Sequence, residues 1–404
     1  MNRPLRILNL IRSLDPAGGG VAEGLRQSIA ATTALGHLEE VLTLDAPDAP
    51  WLVGAGAFDV PVHALGPVAS NYGHCAALLP WLKARATHYD AVVVHGLWQY
   101  HGLAVWRALR GTAVPYFVFC HGMLDPWFKR RYPLKHLKKW LYWPWAEYRV
   151  LRDARAVLFT ARDEMRLAAQ SFWLYRVRPS VVGYGLWPAL QDREGPELAE
   201  AFLQAHPEAQ GKRVLLFLAR LHPKKGCDLL IEAFARIARR DLALHLVMAG
   251  PDQVGWQAEL QAQAQRLGVA DRISWPGMLQ GDLKWGALHA AEAFVLPSHQ
   301  ENFGISVAEA LSVGVPVLIS ERINIWREIV EAGAGFAAED SVEGTLATLE
   351  RWLALPGPAR AQMPWRARHC FAQHFHMDAV ARRLIDTIRP HVARRSDLSA
   401  ARFR

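Results

Sequence analysis

One stretch in the second half of the chain decides the fold, and it reads Glu301-Asn302-Phe303-Gly304-Ile305-Ser306-Val307-Ala308-Glu309. It follows an apolar run, Ala293 to Pro297, that is typical of a buried strand, and it leads into an amphipathic helix predicted over Ser306 to Val313. Gly304 marks the turn between them. A strand, a turn and a helix N-terminus form an anion site, because backbone N–H groups and the positive helix end converge there.

The two carboxylates of this stretch lie eight residues apart. Eight helical residues span roughly 12 Å, whereas a retaining glycosidase needs its carboxyl groups only about 5–5.5 Å apart. We therefore expect Glu301 and Glu309 to act on different parts of one ligand that carries phosphate and hydroxyl groups, as nucleotide sugars do. The alternative is an ordinary exposed helix start.

The composition is that of a globular protein with two or three domains: 404 residues, 51% hydrophobic and 21% charged. No apolar run reaches the ~18–20 residues of a membrane span, and the first twelve residues are too interrupted for a signal peptide. Four scattered cysteines indicate buried thiols in a reducing cytoplasm. The net charge of +8 lies entirely in residues 1–185, and it concentrates in residues 126–155.

Short apolar runs alternate with helical patterns, which predicts two doubly wound α/β domains with parallel sheets. The predicted strands are Leu5–Ile11, Glu40–Leu44, Ala91–Val94, Tyr116–Phe119 and Ala156–Thr160, then Arg213–Leu218, Leu244–Ala249, Ile273–Trp275, Ala293–Pro297 and Pro316–Ile319. Glycines and a proline near residues 183–188 place the boundary between domains 1–184 and 185–376, with residues 377–404 as a final helix and basic tail. Such domains commonly bind ligands in the cleft that they share.

Several predicted strand ends carry residues suited to a ligand. After the first strand of the second domain, Arg220 can grip phosphate oxygens and Lys225 can supply a mobile charge, unless both are simply solvated. Gly250, Gly277 and the adjacent Met278 follow two further strands, where backbone groups could meet a flat base or where there are only turns.

The first domain offers a glycine turn and two histidines. Gly19 and Gly20 lie in a turn that could approach a phosphate closely. The turn departs from the G-x-G-x-x-G dinucleotide fingerprint, although Asp45 ends the next strand as a ribose-binding acid would. His95 and His121 each end a strand and precede a glycine, so at least one is expected to contact a hydroxyl or a developing charge.

Residues 126–155 interleave cations with tryptophan and tyrosine. This pattern suits an anionic membrane surface, where each cation adds about 1 kcal/mol, or a pyrophosphate-linked lipid acceptor. The alternative is a helix whose aromatic residues pack inward. We expect no nucleic acid partner, because nothing else in the sequence supports one.

Together these segments resemble the family-4 retaining glycosyltransferases, which have the GT-B architecture of two Rossmann-like domains facing across a cleft. The resemblance covers nearly the whole chain, and the Glu301–Glu309 motif and the Arg220–Gly226 segment are its most specific parts. Gly18–Gly20 and the segment from His121 to Trp127 look like a subgroup of group 1 type that builds bacterial surface polysaccharides.

The resemblance implies a role for each matching residue. Glu309 would hold the donor ribose, Glu301 would face the transferred sugar, and Arg220 and Lys225 would bind the diphosphate. His121 would contact the donor sugar. The residues implied to line the donor are Gly19, Gly20, Asn302, Phe303 and Gly304.

The resemblance further implies transfer with retention, no metal and no cofactor. The donor would be a nucleotide sugar, with UDP- or GDP-linked donors expected, and the acceptor a saccharide or a lipid-linked saccharide. The expected location is the cytoplasm or the inner face of its membrane. A nucleotide-sugar epimerase of the same fold and a non-catalytic binding protein are the alternatives.

Overall fold

The computed structural model describes residues 3–16, 20–53, 58–187 and 194–392. The chain divides into two compact units. The first comprises Met1–Trp187 together with Met377–Arg404, and the second comprises Pro188–His376. No helix of the described residues has the length and apolar character that crossing a membrane requires.

The first unit contains a parallel sheet of seven strands. The strands are β1 (Arg6–Ile11), β2 (Leu38–Thr43), β3 (Val62–Ala64), β4 (Ala91–His95), β5 (Tyr116–Phe119), β6 (Ala156–Phe159) and β7 (Pro179–Val181), in the order β3-β2-β1-β4-β5-β6-β7. The central strands are buried along almost their whole length because both faces of the sheet are covered.

Eight α-helices among the described residues complete this unit. They are α1 (Gly20–Ala34), α2 (Leu78–Arg85), α3 (Tyr100–Leu109), α4 (Trp127–Arg131), α5 (Pro133–Tyr142), α6 (Glu147–Asp153), α7 (Arg162–Ala168) and, from the end of the chain, α16 (Met377–Ile388). Helix α16 packs against α1. A Cβ at Gly185 would lie 2.8 Å from the Met377 Cα, so a glycine is needed where α16 joins this unit.

The second unit contains a parallel sheet of six strands. They are β8 (Arg213–Leu218), β9 (Leu244–Ala249), β10 (Ile273–Gly277), β11 (Ala291–Leu296), β12 (Val317–Ser320) and β13 (Gly335–Ala338), in the order β10-β9-β8-β11-β12-β13. Its helices are α8 (Gly195–Ala205), α9 (Cys227–Ala238), α10 (Gln257–Arg266), α11 (Gly281–Ala290), α12 (Ile305–Ser312), α13 (Trp326–Glu331), α14 (Val342–Leu353) and α15 (Gly357–Cys370).

The strand order of each sheet reverses once. In the first unit the reversal lies between β1 and β4, and in the second it lies between β8 and β11. Connections diverge at such a point and leave room beyond the carboxyl ends of the strands, where open parallel sheets bind ligands. The predicted α/β class with two Rossmann-like parallel sheets is therefore confirmed, and the two reversals indicate where to look for a site in each unit.

Candidate functional site

At the reversal in the second unit, the loop after β8 and the loop after β11 are joined. The Lys224 carbonyl accepts hydrogen bonds from the Ser298 hydroxyl (2.9 Å) and from the His299 N–H (2.8 Å). Gly226 has φ +68°, and a Cβ there would lie 2.3 Å from the Pro297 carbonyl oxygen. Only glycine fits this approach without displacing backbone, so the two loops hold each other in place.

Lys225 and Glu301 meet between these loops. The Lys225 ammonium contacts the Glu301 carboxylate, and the two side chains are only 13% and 16% exposed. Burial lowers the pKa of Lys225 to about 8, with the neighbouring cations Lys224 and Arg220 acting in the same direction. The Glu301 backbone is fixed as well, because its N–H donates to the Arg322 carbonyl at 2.9 Å. The structure thus brings together a predicted phosphate-binding cation and a predicted sugar-facing acid.

A cavity of about 480 Å³ opens beside this ion pair. It is lined by Arg220, His222, Lys224, Lys225, Gln253 and Val254. No acidic side chain among the described residues forms an ion pair with the exposed Arg220. A cavity lined by three cations with one carboxylate at its side suits an anion of more than one charge, such as a diphosphate.

The helix start predicted from the sequence directly follows the loop that carries Glu301. Gly304 adopts a left-handed conformation (φ +79°) and precedes α12 without a side-chain cap. On the helix, Glu309 accepts a hydrogen bond from the Lys284 ammonium at 2.7 Å. The Phe303 side chain is buried and meets Phe375 edge to face, with ring centroids 5.6 Å apart, so it packs in the core and only its backbone can line a ligand.

Gly250 and Gly277 lie at the carboxyl ends of β9 and β10, at the same edge of the sheet as the cavity. Gly250 donates its N–H to the Gly277 carbonyl at 2.7 Å, and a Cβ on Gly250 would lie 1.8 Å from the Ala219 carbonyl oxygen. Met278 is 62% exposed beside them. The carboxyl ends of β8, β9 and β10 thus lie close together at Gly250, where a side chain would clash with the backbone.

In the first unit, His121 lies just beyond β5 in a left-handed conformation (φ +49°) that non-glycine residues rarely adopt. The buried Glu164 supports it by accepting hydrogen bonds from the Gly122 and Thr160 N–H groups, each at 2.6 Å. Burial lowers the pKa of His121 to about 3, so the imidazole is neutral at pH 7. Its Nε2 lies 3.1 Å from the Nδ1 of His95, so the two predicted histidines form one cluster.

The glycine turn is only partly described. Gly20 begins α1, and its carbonyl accepts a hydrogen bond from the Tyr184 hydroxyl at 2.7 Å. Gly19 lies outside the described residues. Asp45 accepts hydrogen bonds from the Ser13 hydroxyl (2.6 Å) and the Leu14 N–H (2.7 Å). These bonds occupy Asp45 in holding its own loop, which gives the dinucleotide interpretation no support.

The basic aromatic segment both packs inward and faces outward. Trp143 is fully buried, donates to the Leu174 carbonyl at 2.6 Å and stacks on Phe172. On α5, however, Leu134, Leu137 and Leu141 are 78%, 57% and 65% exposed. We refer to these three leucines and to Trp145, which follows α5 and is 71% exposed, as the α5 surface.

Some residues of the site could not be identified from the sequence. Lys284 pairs with Glu309 from another helix, and Glu164 supports the His121 loop from α7. The Asn324 side chain donates to the Asn302 amide oxygen at 3.3 Å. No motif marks these residues, because each acts through a contact with a distant part of the chain.

Comparison with solved structures defines the class of fold. A glycosyltransferase from Rickettsia africae superposes with a TM-score of 0.74 at 16% identity and covers 96% of this chain and 99% of its own. The Anabaena HepE protein, solved in complex with UDP and glucose, superposes with a TM-score of 0.69 at 18% identity and covers 96% of this chain and 100% of its own. The fold is therefore GT-B, as predicted.

Family models match both units. The model of glycosyl transferases group 1 matches residues 199–369, and the model of the glycosyl transferase 4-like domain matches residues 19–185. The chain belongs to the group 1 glycosyltransferases, and the predicted family is confirmed.

A D-inositol 3-phosphate glycosyltransferase from Segniliparus rotundus is 32% identical over 202 residues, which are 47% of this chain and 42% of that protein. The chain thus spans less than half the length of this curated relative.

Proposed function

We propose that this chain is a retaining glycosyltransferase that moves a sugar from a nucleoside-diphosphate donor to a hydroxyl group of a saccharide or lipid-linked saccharide. The observation that carries the proposal is the cationic cavity beside the Lys225–Glu301 pair at the strand-order reversal of the second unit. A leaving diphosphate needs concentrated positive charge, and a transferred sugar needs a carboxylate acceptor close to it.

Each residue then has a physical task. Arg220 binds phosphate oxygens through its guanidinium fork, while Lys225 neutralises the charge that develops on the leaving diphosphate. Glu301 accepts hydrogen bonds from hydroxyl groups of the transferred sugar. Glu309 accepts those of the ribose. In the first unit, His121 is proposed to hydrogen-bond a substrate hydroxyl.

The proposed chemistry is a front-face transfer. The bond between the anomeric carbon and the diphosphate oxygen breaks while the acceptor oxygen forms its bond on the same face. The departing phosphate takes the acceptor proton, so no side chain has to act as the base. Because Arg220 and Lys225 supply the neutralising charge, we propose that transfer needs no metal and no cofactor.

The proposal of a nucleotide sugar draws support from HepE, which was solved with UDP and glucose. Relatives named D-inositol 3-phosphate glycosyltransferase support a hydroxyl-bearing acceptor. We propose a UDP- or GDP-linked donor and a role in surface polysaccharide biosynthesis.

Thermal unfolding with UDP, GDP, ADP, dTDP and NAD, each with EDTA or with magnesium, tests the donor class. A ligand at 100 times its Kd stabilises the folded protein by about 2.7 kcal/mol. We expect UDP or GDP to raise the Tm equally in both buffers. Stabilisation by NAD alone, or only with magnesium, would contradict the proposal. Incubation with donor alone then separates an epimerase, which changes the sugar, from a transferase, which needs an acceptor.

We also propose that the α5 surface binds anionic membranes from the cytoplasmic side. Leu134, Leu137 and Leu141 share one helix face at i, i+3 and i+7, and the exposed Lys135 and Lys138 lie on the same helix. Apolar side chains that insert at the headgroup boundary, with lysines that attract anionic lipid, make an interfacial helix.

Vesicle sedimentation tests this surface. We expect binding to vesicles of phosphatidylcholine with 30% phosphatidylglycerol and weaker binding to phosphatidylcholine alone. Leu137→Asp with Leu141→Asp should abolish it, while Leu242→Asp, at a 78% exposed leucine of the second unit, should not. Unchanged binding of the double variant would rule out the α5 surface.

A further inference from the structure

A chain of buried polar side chains runs behind His121 in the first unit. The Glu39 carboxylate accepts a hydrogen bond from the Asn9 Nδ2 at 2.7 Å, and the Asn9 Oδ1 lies 3.2 Å from the His95 Nε2. The His95 Nδ1 in turn lies 3.1 Å from the His121 Nε2. Glu39, Asn9 and His95 are only 5%, 4% and 7% exposed. Breaking one of these hydrogen bonds would therefore leave a buried polar group without a partner, which costs free energy.

Above the Glu39 pKa of about 7, the order of donors and acceptors in this chain is determined from its buried end. An ionised Glu39 can only accept, so Asn9 must turn its amide N–H₂ toward it and its oxygen toward His95. The His95 Nε2 must then carry the proton and donate to that oxygen. In a neutral ring this leaves the His95 Nδ1 as an acceptor, and the facing His121 Nε2 must donate to it.

Both rings are held neutral, which this ordering requires. Burial is the largest cause that lowers the pKa of His95 well below its usual value, and burial lowers the pKa of His121 to about 3. Each ring therefore carries one proton at neutral pH. His121 also stacks on Phe119, with ring centroids 4.4 Å apart and planes within 5°, which fixes the plane of the ring in which its Nε2 faces His95.

We infer that Glu39, Asn9 and His95 are positioning residues that fix His121 in the Nε2–H tautomer, so that its Nδ1 is presented as a hydrogen-bond acceptor for a substrate hydroxyl. The inference deepens the proposed function and rests on it only for the identity of the hydroxyl. Among the described residues, no group hydrogen-bonds the His121 Nδ1. A ligand hydroxyl must therefore donate to His121, and a ligand group that can only accept, such as a fluorine or a keto oxygen, finds no donor there.

Long-range ¹H–¹⁵N correlation spectra of the histidine rings at pH 8.5 test the tautomer without any substrate. This pH ionises Glu39, because burial raises the pKa of that carboxyl only to about 7. A His121→Gln spectrum identifies the His121 signals among the 17 histidines. We expect the wild-type ring to be purely the Nε2–H form. A His121 ring in the Nδ1–H form would overturn the inference, even if no variant folds.

Two variants then test the relay. Asn9→Leu removes the link between Glu39 and His95, so His121 should become a mixture of tautomers, and kcat/KM for transfer should fall with the fraction that leaves the Nε2–H form, about twofold for an equal mixture. Glu39→Gln replaces a group that can only accept with an amide that can also donate, so it should relax the tautomer of His121 as well. A pure Nε2–H ring in Asn9→Leu would refute the relay.

The tautomer does not depend on turnover, so the two proposals fail separately. A chain with the predicted tautomer but without transferase activity would contradict only the proposed function. A transferase whose His121 is not controlled by Asn9 would contradict only this inference.

Discussion

From the contact between Lys225 and Glu301 we predict that two substitutions will affect UDP binding and sugar transfer differently. A diphosphate that engages the Lys225 ammonium must draw it away from the Glu301 carboxylate, because the two side chains meet in a nearly buried pair. Lys225→Met removes the cation, while Glu301→Gln removes its competing partner. The two variants should therefore change the affinity for UDP in opposite directions.

The magnitudes follow from the type of interaction that each variant removes. A hydrogen bond between charged groups contributes about 1.5–3 kcal/mol, so Lys225→Met should raise the Kd for UDP by about 10- to 150-fold. Glu301→Gln frees the ammonium from a largely buried ion pair, whose attraction is mostly offset by the cost of desolvating both groups, so UDP should bind as well as before or up to about fivefold more tightly. Transfer should nevertheless fall in Glu301→Gln, since the sugar loses its charged acceptor.

Isothermal titration with UDP and a transfer assay give the two quantities separately. Lys212→Met is the matched control, because Lys212 is exposed and directly precedes β8, at the other end of the strand from Arg220. Equal weakening of UDP binding in Lys225→Met and Glu301→Gln would refute the reasoning. It would mean that the carboxylate helps to bind the diphosphate rather than competing for its cation.

Three further predictions address the same edge of the sheet. The affinity for UDP should fall as the pH rises above about 8, where Lys225 loses its proton. In Lys225→Arg the affinity for UDP should stay constant up to about pH 9.5, because the guanidinium keeps its charge. Gly226→Ala should lower the free energy of unfolding by about 2–5 kcal/mol in urea melts, because its Cβ would clash with backbone. Gly255→Ala, at φ +74° with nothing within 4 Å of its Cβ, should lose only the part of the unfolding free energy that comes from the left-handed backbone, about 1–2 kcal/mol. Glu309→Ala should keep the wild-type Tm but abolish measurable transfer, and wild-type turnover would contradict its assignment to the ribose.

The central strands could be predicted because their apolar character is continuous. Strands β8 and β9 have the predicted bounds, since every residue that follows their first is buried. The edge strands β3 and β7 and the short β13 were missed, because they have only three or four residues and most of those are half-buried. A partly covered edge leaves little apolar signal in the sequence.

Strand β2 shows a second reason for error. It begins at Leu38, whereas the prediction began at Glu40, because the acidic residue Glu39 does not resemble part of a buried strand. Glu40 is tolerated there through hydrogen bonds from Arg6 and from the Tyr89 hydroxyl, and Glu39 through one from Asn9. These partners come from other parts of the chain, so the sequence around Glu39 cannot reveal them.

The same limit applies to the site itself. The sequence identified Glu301, Glu309 and Lys225 as separate signals, but it could not show that Lys225 holds Glu301 across 76 residues or that Lys284 holds Glu309. These pairs change what the motif does. Each carboxylate already has a cation, so a donor gains only the difference between its own interactions and those that it displaces. The measured affinity for the donor should therefore be lower than the number of cations in the cavity suggests. Removing a carboxylate should recover the binding free energy that is otherwise spent on displacing it from its cation.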